Sequence, residues 1–187
     1  MSESWLNPEE GGTLLLLARE SIEAAVTESP LPELPAHQIT QGLQLQLGAF
    51  VTLKMGGELR GCIGEMNWER AVYKNVIRAA IGSALHDPRF SPLAEEELAQ
   101  IKIETTILGA LQKIPSAEAF DPLLHGIQLE ASGGRAVFLP KVAQETGWGR
   151  EQLLENLCLK AGLVREAWKH PHAAFKIFTT QEFAEMV

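Results

Sequence analysis

The run Leu59-Arg60-Gly61-Cys62-Ile63-Gly64 places a guanidinium and a thiol two residues apart, between glycines that bare the backbone amides. Positive charge beside a cysteine lowers its pKa from about 8.5, and the thiolate is the attacking species in covalent catalysis. Read for chemistry, Cys62 is a nucleophile or ligand, Arg60 orients an anion, and Gly61 and Gly64 let a substrate approach the main chain. Read for architecture, Cys62 is a small core residue, the glycines allow tight sheet packing and Arg60 forms an internal ion pair. A second group, His86-Asp87-Pro88-Arg89-Phe90, offers an imidazole as base, with a carboxylate and another guanidinium as substrate-binding groups. It would complete a nucleophile, base and anion clamp if it packed over the first run. Its plainer reading is a helix stop in which Asp87 bonds nearby backbone and Arg89 holds a loop.

Other chemistry is poorly supported. His170-Pro171-His172 has no third and fourth ligand beside it, and His37 and His125 stand alone, so no metal is assigned. No glycine-rich phosphate fingerprint and no Gly-x-Ser-x-Gly elbow occurs, so no cofactor is assigned. Sixteen basic against 24 acidic residues give a net charge of -8, the wrong sign for broad phosphate neutralisation, and no nucleic-acid partner is expected. The longest apolar run, Leu14 to Ala18, is far short of the roughly 20 residues of a membrane span. Two cysteines are too few for a disulfide framework, and Glu3, Glu9 and Glu10 are unlike a signal peptide's positive start, so a cytoplasmic location is expected. The four tryptophans are scattered; Trp148, between Gly147 and Gly149, is the one with the setting of an exposed partner contact.

The elements that must position these residues follow from periodicity. Asn7-Pro8 caps a helix carrying Leu14, Leu15, Ala18, Ile22, Ala25 and Val26 on one face. Pro30, Pro32 and Pro35 open a mobile connector over residues 30–47. From Ala49 the period becomes two, and Gly56-Gly57 turns the chain into Leu59 to Ile63. A plain two-residue turn sets Val51 opposite Cys62 and Leu53 opposite Arg60, which puts both candidates on the apolar face; a bulge would undo that register. Asn67 caps a helix reaching Leu85, with a small-residue face of Ala71, Ala79, Ala80 and Ala84. A short acidic helix at Glu95 to Ala99 precedes a strand at Ile101 to Ile107. A second hairpin, Ile127 to Ala131 and Arg135 to Leu139, turns at Gly133-Gly134. Then come a helix from Glu151 to Ala161, a strand from Ala174 to Phe178, and a capped helical turn from Thr180. About six strands and four or five helices without repeated βαβ units give an α+β fold of mostly antiparallel sheet.

Taken with Phe50-Val51-Thr52-Leu53, Asp87-Pro88-Arg89-Phe90, Leu139-Pro140 and Lys160-Ala161-Gly162-Leu163, the Arg-Gly-Cys-Ile-Gly run resembles the AMMECR-type domain family. Its prokaryotic members are called AmmeMemoRadiSam system protein A. The resemblance runs from about Thr13 to Glu182, so residues 1–187 form a single domain of this type. It implies a larger and a smaller subdomain with a cleft between them. It also implies a Memo-like protein and a radical S-adenosylmethionine protein as partners, and a functional site at Arg60, Gly61, Cys62 and Gly64, with Asp87 and Arg89 in support. It supplies no reaction. Lys141 stands where many relatives have glutamine, which adds a cation after Leu139-Pro140. Two functions follow: an enzyme or enzyme component using Cys62, Arg60 and His86, or a non-catalytic module that docks on those partners.

Overall fold

A computed structural model describes residues 5–186; Glu3 lies outside the described residues. The chain divides into two compact units, one running to Leu108 and resuming at Gln181, the other from Gly109 to Thr180. Both are built of antiparallel sheet and helix, so the fold is α+β. Among the described residues no helix is long and apolar enough to cross a membrane.

In the first unit, helix α1 (Pro8–Val26) starts where Asn7 accepts a hydrogen bond from the Glu10 N–H and the Glu10 carboxylate accepts one from the Asn7 N–H. With proline at the first position this reciprocal cap fixes the helix start. Strand β1 (Gly48–Met55) turns through Gly56 and Gly57, both at positive φ, into β2 (Glu58–Glu65). Helix α2 (Val72–Leu85) and strand β3 (Ile101–Leu108) follow. The sheet order is β2-β1-β3-β8, the last strand being β8 (Thr180–Ala184). Ala49, Val51 and Leu53 of β1 and Ile103 and Ile107 of β3 join Leu14, Ala18 and Ile22 of α1 and Val76, Ala79 and Ala80 of α2 in one buried core. Each valine, leucine and isoleucine among them contributes about 1.5–3 kcal/mol on burial, and each alanine less. The alanine face of α2 lets the helix sit close to the strands.

The expected hairpin register is corrected by one residue. The turn is the predicted one, with Met55 facing Glu58, but a bulge between Leu53 and Lys54 sets Leu53 opposite Gly61, Thr52 opposite Cys62 and Val51 opposite Ile63. Because strand side chains alternate, the slip moves Cys62 off the face of Val51 and Leu53 onto the face of Thr52. Asn67 does not cap α2. Its side chain accepts from the Glu69 N–H in a local turn and its carbonyl accepts from the Asn75 amide, while the Val72 N–H finds the Leu45 carbonyl instead. The segment after Pro35 is partly core: Leu43 and Leu47 are buried. The expected terminal helical turn is strand β8, because the following Glu185 reaches back to accept from the Ile103 N–H and grip Arg19. That tertiary pairing outweighs a local cap.

The second unit holds β4 (Gln112–Ile114), β5 (Gly126–Ala131), β6 (Gly134–Phe138), helices α3 (Lys141–Thr146) and α4 (Arg150–Lys160), and β7 (Ala174–Phe178). Its sheet order is β4-β7-β5-β6. Ile127, Leu129, Leu153, Leu154, Leu157, Cys158, Phe175 and Ile177 form its core, with Trp148 half-buried against it rather than presented to solvent. The β5–β6 turn falls at Ser132-Gly133, one residue before the expected pair, since both of these residues take positive φ and Gly134 pairs with Ala131. β4 and α3 are short elements without a periodic signature.

Candidate functional site

The first unit brings Arg60, Gly61, Cys62, Gly64, Asp87 and Arg89 together along β2, the edge strand of its sheet. Gly61 and Ile63 face α2. A Cβ on Gly61 would lie 2.2 Å from the backbone oxygen of Ser83, so only glycine permits the helix to approach this closely. The Ser83 hydroxyl accepts from the Ile63 N–H at 2.8 Å and lies 2.7 Å from the Val51 and Ala79 carbonyls, tying α2 into the β1–β2 ladder.

Arg60, at the bulge, swings to the segment after α2. Its Nε and Nη2 donate to the two carboxylate oxygens of Glu97 at 2.7 and 2.8 Å, and Nη1 and Nη2 reach the carbonyls of Ser91 and Pro92. The Glu97 hydrogen bond raises the Arg60 pKa further, and Arg60, followed by the Ala94 N–H, holds the Glu97 carboxyl below its usual range. Asp87 is 4% exposed. It accepts from the Cys62 N–H at 2.8 Å and from Nε and Nη2 of Arg89 at 2.9 and 2.7 Å, while the same Nη2 donates to the Cys62 carbonyl at 3.2 Å. A carboxylate and a guanidinium thus take up both polar atoms of the Cys62 peptide. Phe90 lies between the two cations, its ring centroid 6.0 Å from Arg60 Cζ and 5.5 Å from Arg89 Cζ.

The Cys62 thiol is half-buried and meets the Thr52 hydroxyl at 3.3 Å. His86 closes α2 with its backbone N–H; its imidazole is exposed, and no hydrogen bond of the cluster involves it. Arg60 and Cys62 aim their polar ends at different partners, so the structure gathers the arginine, cysteine and aspartate of the motifs but assembles no thiol–imidazole pair. Thr52, Ser83 and Glu97 are the participants that sequence reading did not find. Ser83 carried a faint signal, a hydroxyl within the alanine face of α2; Glu97, one of three consecutive glutamates, carried none. Cys158, the other thiol, is fully buried, and burial raises its pKa. Among the described residues no three His, Cys, Asp or Glu side chains are grouped to hold a metal ion.

The Arg89 guanidinium, with help from the Cys62 and Arg89 N–H groups, holds the Asp87 carboxyl well below the usual carboxylate range. In the unfolded chain the group titrates near 3.9. Its contribution to stability is therefore complete above about pH 4 and fades as pH falls towards the lower folded value, with Glu97 acting in the same direction. Urea unfolding between pH 6 and 2 should show stability falling below about pH 4, and Asp87→Asn should be less stable at pH 6 with a shallower acid slope. An unchanged slope would mean that Asp87 is not held in this way.

A two-unit α+β fold with an Arg-Gly-Cys-Ile-Gly edge strand braced by an Asp-Pro-Arg-Phe turn defines a distinct class of domain. The AMMECR1 family model matches residues 15–183, and the chain belongs to that family. It is 35% identical over 186 residues to a protein of Methanothermobacter thermautotrophicus, covering 96% of both chains. It is also 35% identical over 190 residues to Protein MK0488 of Methanopyrus kandleri, covering 96% of this chain and 90% of that one. The crystal structure of the uncharacterized protein PH0010 from Pyrococcus horikoshii is similar with a TM-score of 0.90 at 30% identity, over 97% of this chain and 94% of that one.

Proposed function

We propose that the chain is a non-catalytic binding module, acting in the cytoplasm on the Memo-like and radical S-adenosylmethionine partners that the family resemblance implies. One observation carries this reading: the charged groups of the motif are spent on internal bonds. Arg60 is engaged by Glu97 and two carbonyls, and Asp87 by Arg89 and the Cys62 N–H. An anion clamp needs free donors, and a thiol nucleophile needs a base within about 3.2 Å. The cluster instead braces a strand edge and the turn behind it, as a rigid recognition platform requires. In this role Gly61 and Gly64 set close packing, Asp87 and Arg89 hold the Cys62 peptide, and Cys62 fills the space beside Thr52.

A second reading, an enzyme component with Cys62 as nucleophile, Arg60 orienting an anionic or carbonyl substrate and His86 as base, draws on the thiol's partial exposure and its contact with Thr52. It requires Arg60 to leave Glu97 and His86 to turn inward. Complementation of a strain lacking this gene with the Cys62→Ser chain separates the two. The module reading expects full function, whereas loss of a nucleophile costs orders of magnitude and would overturn it.

A further inference from the structure

A terminal strand presents alternate N–H and C=O groups away from its sheet, which makes it a template for another extended chain. β2 is such a strand, and at Cys62 the template is closed: the Asp87 carboxylate and the Arg89 guanidinium stand where a neighbouring strand's carbonyl and N–H would be. Gly64 is in the same phase two residues on. Cys62 faces Thr52 and Gly64 faces Phe50 across the ladder, so the Gly64 N–H and C=O also point outward from β1. Among the described residues no side chain does at Gly64 what Asp87 and Arg89 do at Cys62. Gly64 has no side chain of its own, and the Phe50 ring lies over it, 2.3 Å from where a Cβ would be, so a larger residue would have to displace that ring.

The charge at this edge opposes that of the whole chain. Against a net charge of -8, two ion pairs flanking Gly64 turn their cations outward and hide their anions, whereas Arg60 is itself largely buried on Glu97. The Arg89 side chain is 54% exposed over an Asp87 side chain that is 2% exposed, and the Arg78 side chain is 59% exposed beside a Glu65 side chain that is 25% exposed. The two anchoring points, Cys62 and Glu65, lie about 10 Å apart along the strand. We propose that the outer edge of β2 at Gly64 docks an extended acidic segment of a partner protein, which adds as a strand through the Gly64 N–H and C=O and sets carboxylates against Arg78 and against the Nη1 of Arg89, the nitrogen that its bonds to Asp87 and Cys62 do not use. The Asp87–Arg89 pair stops the added strand at Cys62 and so fixes its register. This site rests on the binding-module reading and gives that module its recognition surface.

The test is an amide NMR titration of the 15N-labelled chain with an acetylated and amidated heptapeptide of alternating valine and glutamate. Two controls accompany it: the same peptide with lysine for glutamate, and the glutamate peptide with alternate backbone nitrogens methylated. The Gly64 amide should shift and exchange more slowly with the glutamate peptide, with both controls at least about tenfold weaker. Arg78→Gln, a change at an exposed side chain, should weaken binding about three- to tenfold while leaving the free spectrum folded. Equal binding of the lysine peptide, binding that survives methylation, shifts confined to amides away from residues 62–66, or no binding at millimolar peptide would each overturn the proposal. If the peptide fails while Cys62→Ser still complements, only the edge site falls; if Cys62→Ser fails to complement, the module reading itself falls.

Discussion

Gly61→Ala should cost about 3 kcal/mol of folding stability, a large effect for a single methyl group. The added carbon would sit 2.2 Å from the Ser83 backbone oxygen, and a backbone atom cannot rotate aside as a side chain can. Relief requires α2 to move off β2, which would break the contacts of the Ser83 hydroxyl with the Ile63 N–H and the Val51 carbonyl. Overpacking of a well-filled site costs typically 1–3 kcal/mol, and the absence of a flexible neighbour puts this case at the upper end. Urea denaturation measures it. Gly12→Ala is the matched control: nothing lies within 4 Å of its added methyl, and alanine in a helix interior is favoured over glycine by up to about 1 kcal/mol. A Gly61→Ala protein within about 0.5 kcal/mol of the parent would show that helix and strand can part freely.

Glu97→Ala should be comparably damaging, at about 3 kcal/mol. The Arg60 side chain is 12% exposed and that of Glu97 21%, and removing one member of a largely buried pair strands the other charge. Arg60 would keep only the carbonyls of Ser91 and Pro92, and the Ala94 N–H would lose its acceptor. The consequence should be local before it is global: amides of residues 89–97 should exchange faster than the β1–β3 core, since Arg60 and Glu97 lash this segment to the strand. Replacing both partners by leucine should recover most of the loss, because no unpaired charge then remains. A double variant no better than Glu97→Ala would mean that the cost lies in the missing cap at Ala94 rather than in the stranded cation.

The sequence made several of these positions legible and hid others for identifiable reasons. The Gly56-Gly57 turn, the Asn7 cap and the alternation of Ile101, Ile103 and Ile107 are local signals, written in dihedral preference and periodicity, and the structure carries all three. The bulge at Leu53/Lys54 has no such signature, and one extra residue was enough to move Cys62 to the other face of the sheet. Asn67 and Thr180 carry genuine capping chemistry, but Asn75, Leu45 and Glu185 compete for the same backbone from a distance. At the site, the membership of Arg60, Asp87 and Arg89 was readable from residue type. That Arg60 pairs with Glu97, 37 residues away, and that His86 faces solvent are properties of tertiary packing that no spacing encodes.

The discontinuity of the first unit has a consequence during synthesis. Its sheet is complete only when β8 pairs with β3, yet the residues between Leu108 and Gln181 all belong to the second unit. At translation rates of about 5–20 residues per second, those seventy-odd residues take roughly 4–15 s to make. Through that interval β3 is a growing chain's bare margin, rich in isoleucine and threonine and open to strands of other molecules. The Arg19 guanidinium also waits, without the Glu185 carboxylate that will hold it. Nascent chains paused within the second unit are therefore the species most in need of a chaperone, although the finished protein carries no trace of that need.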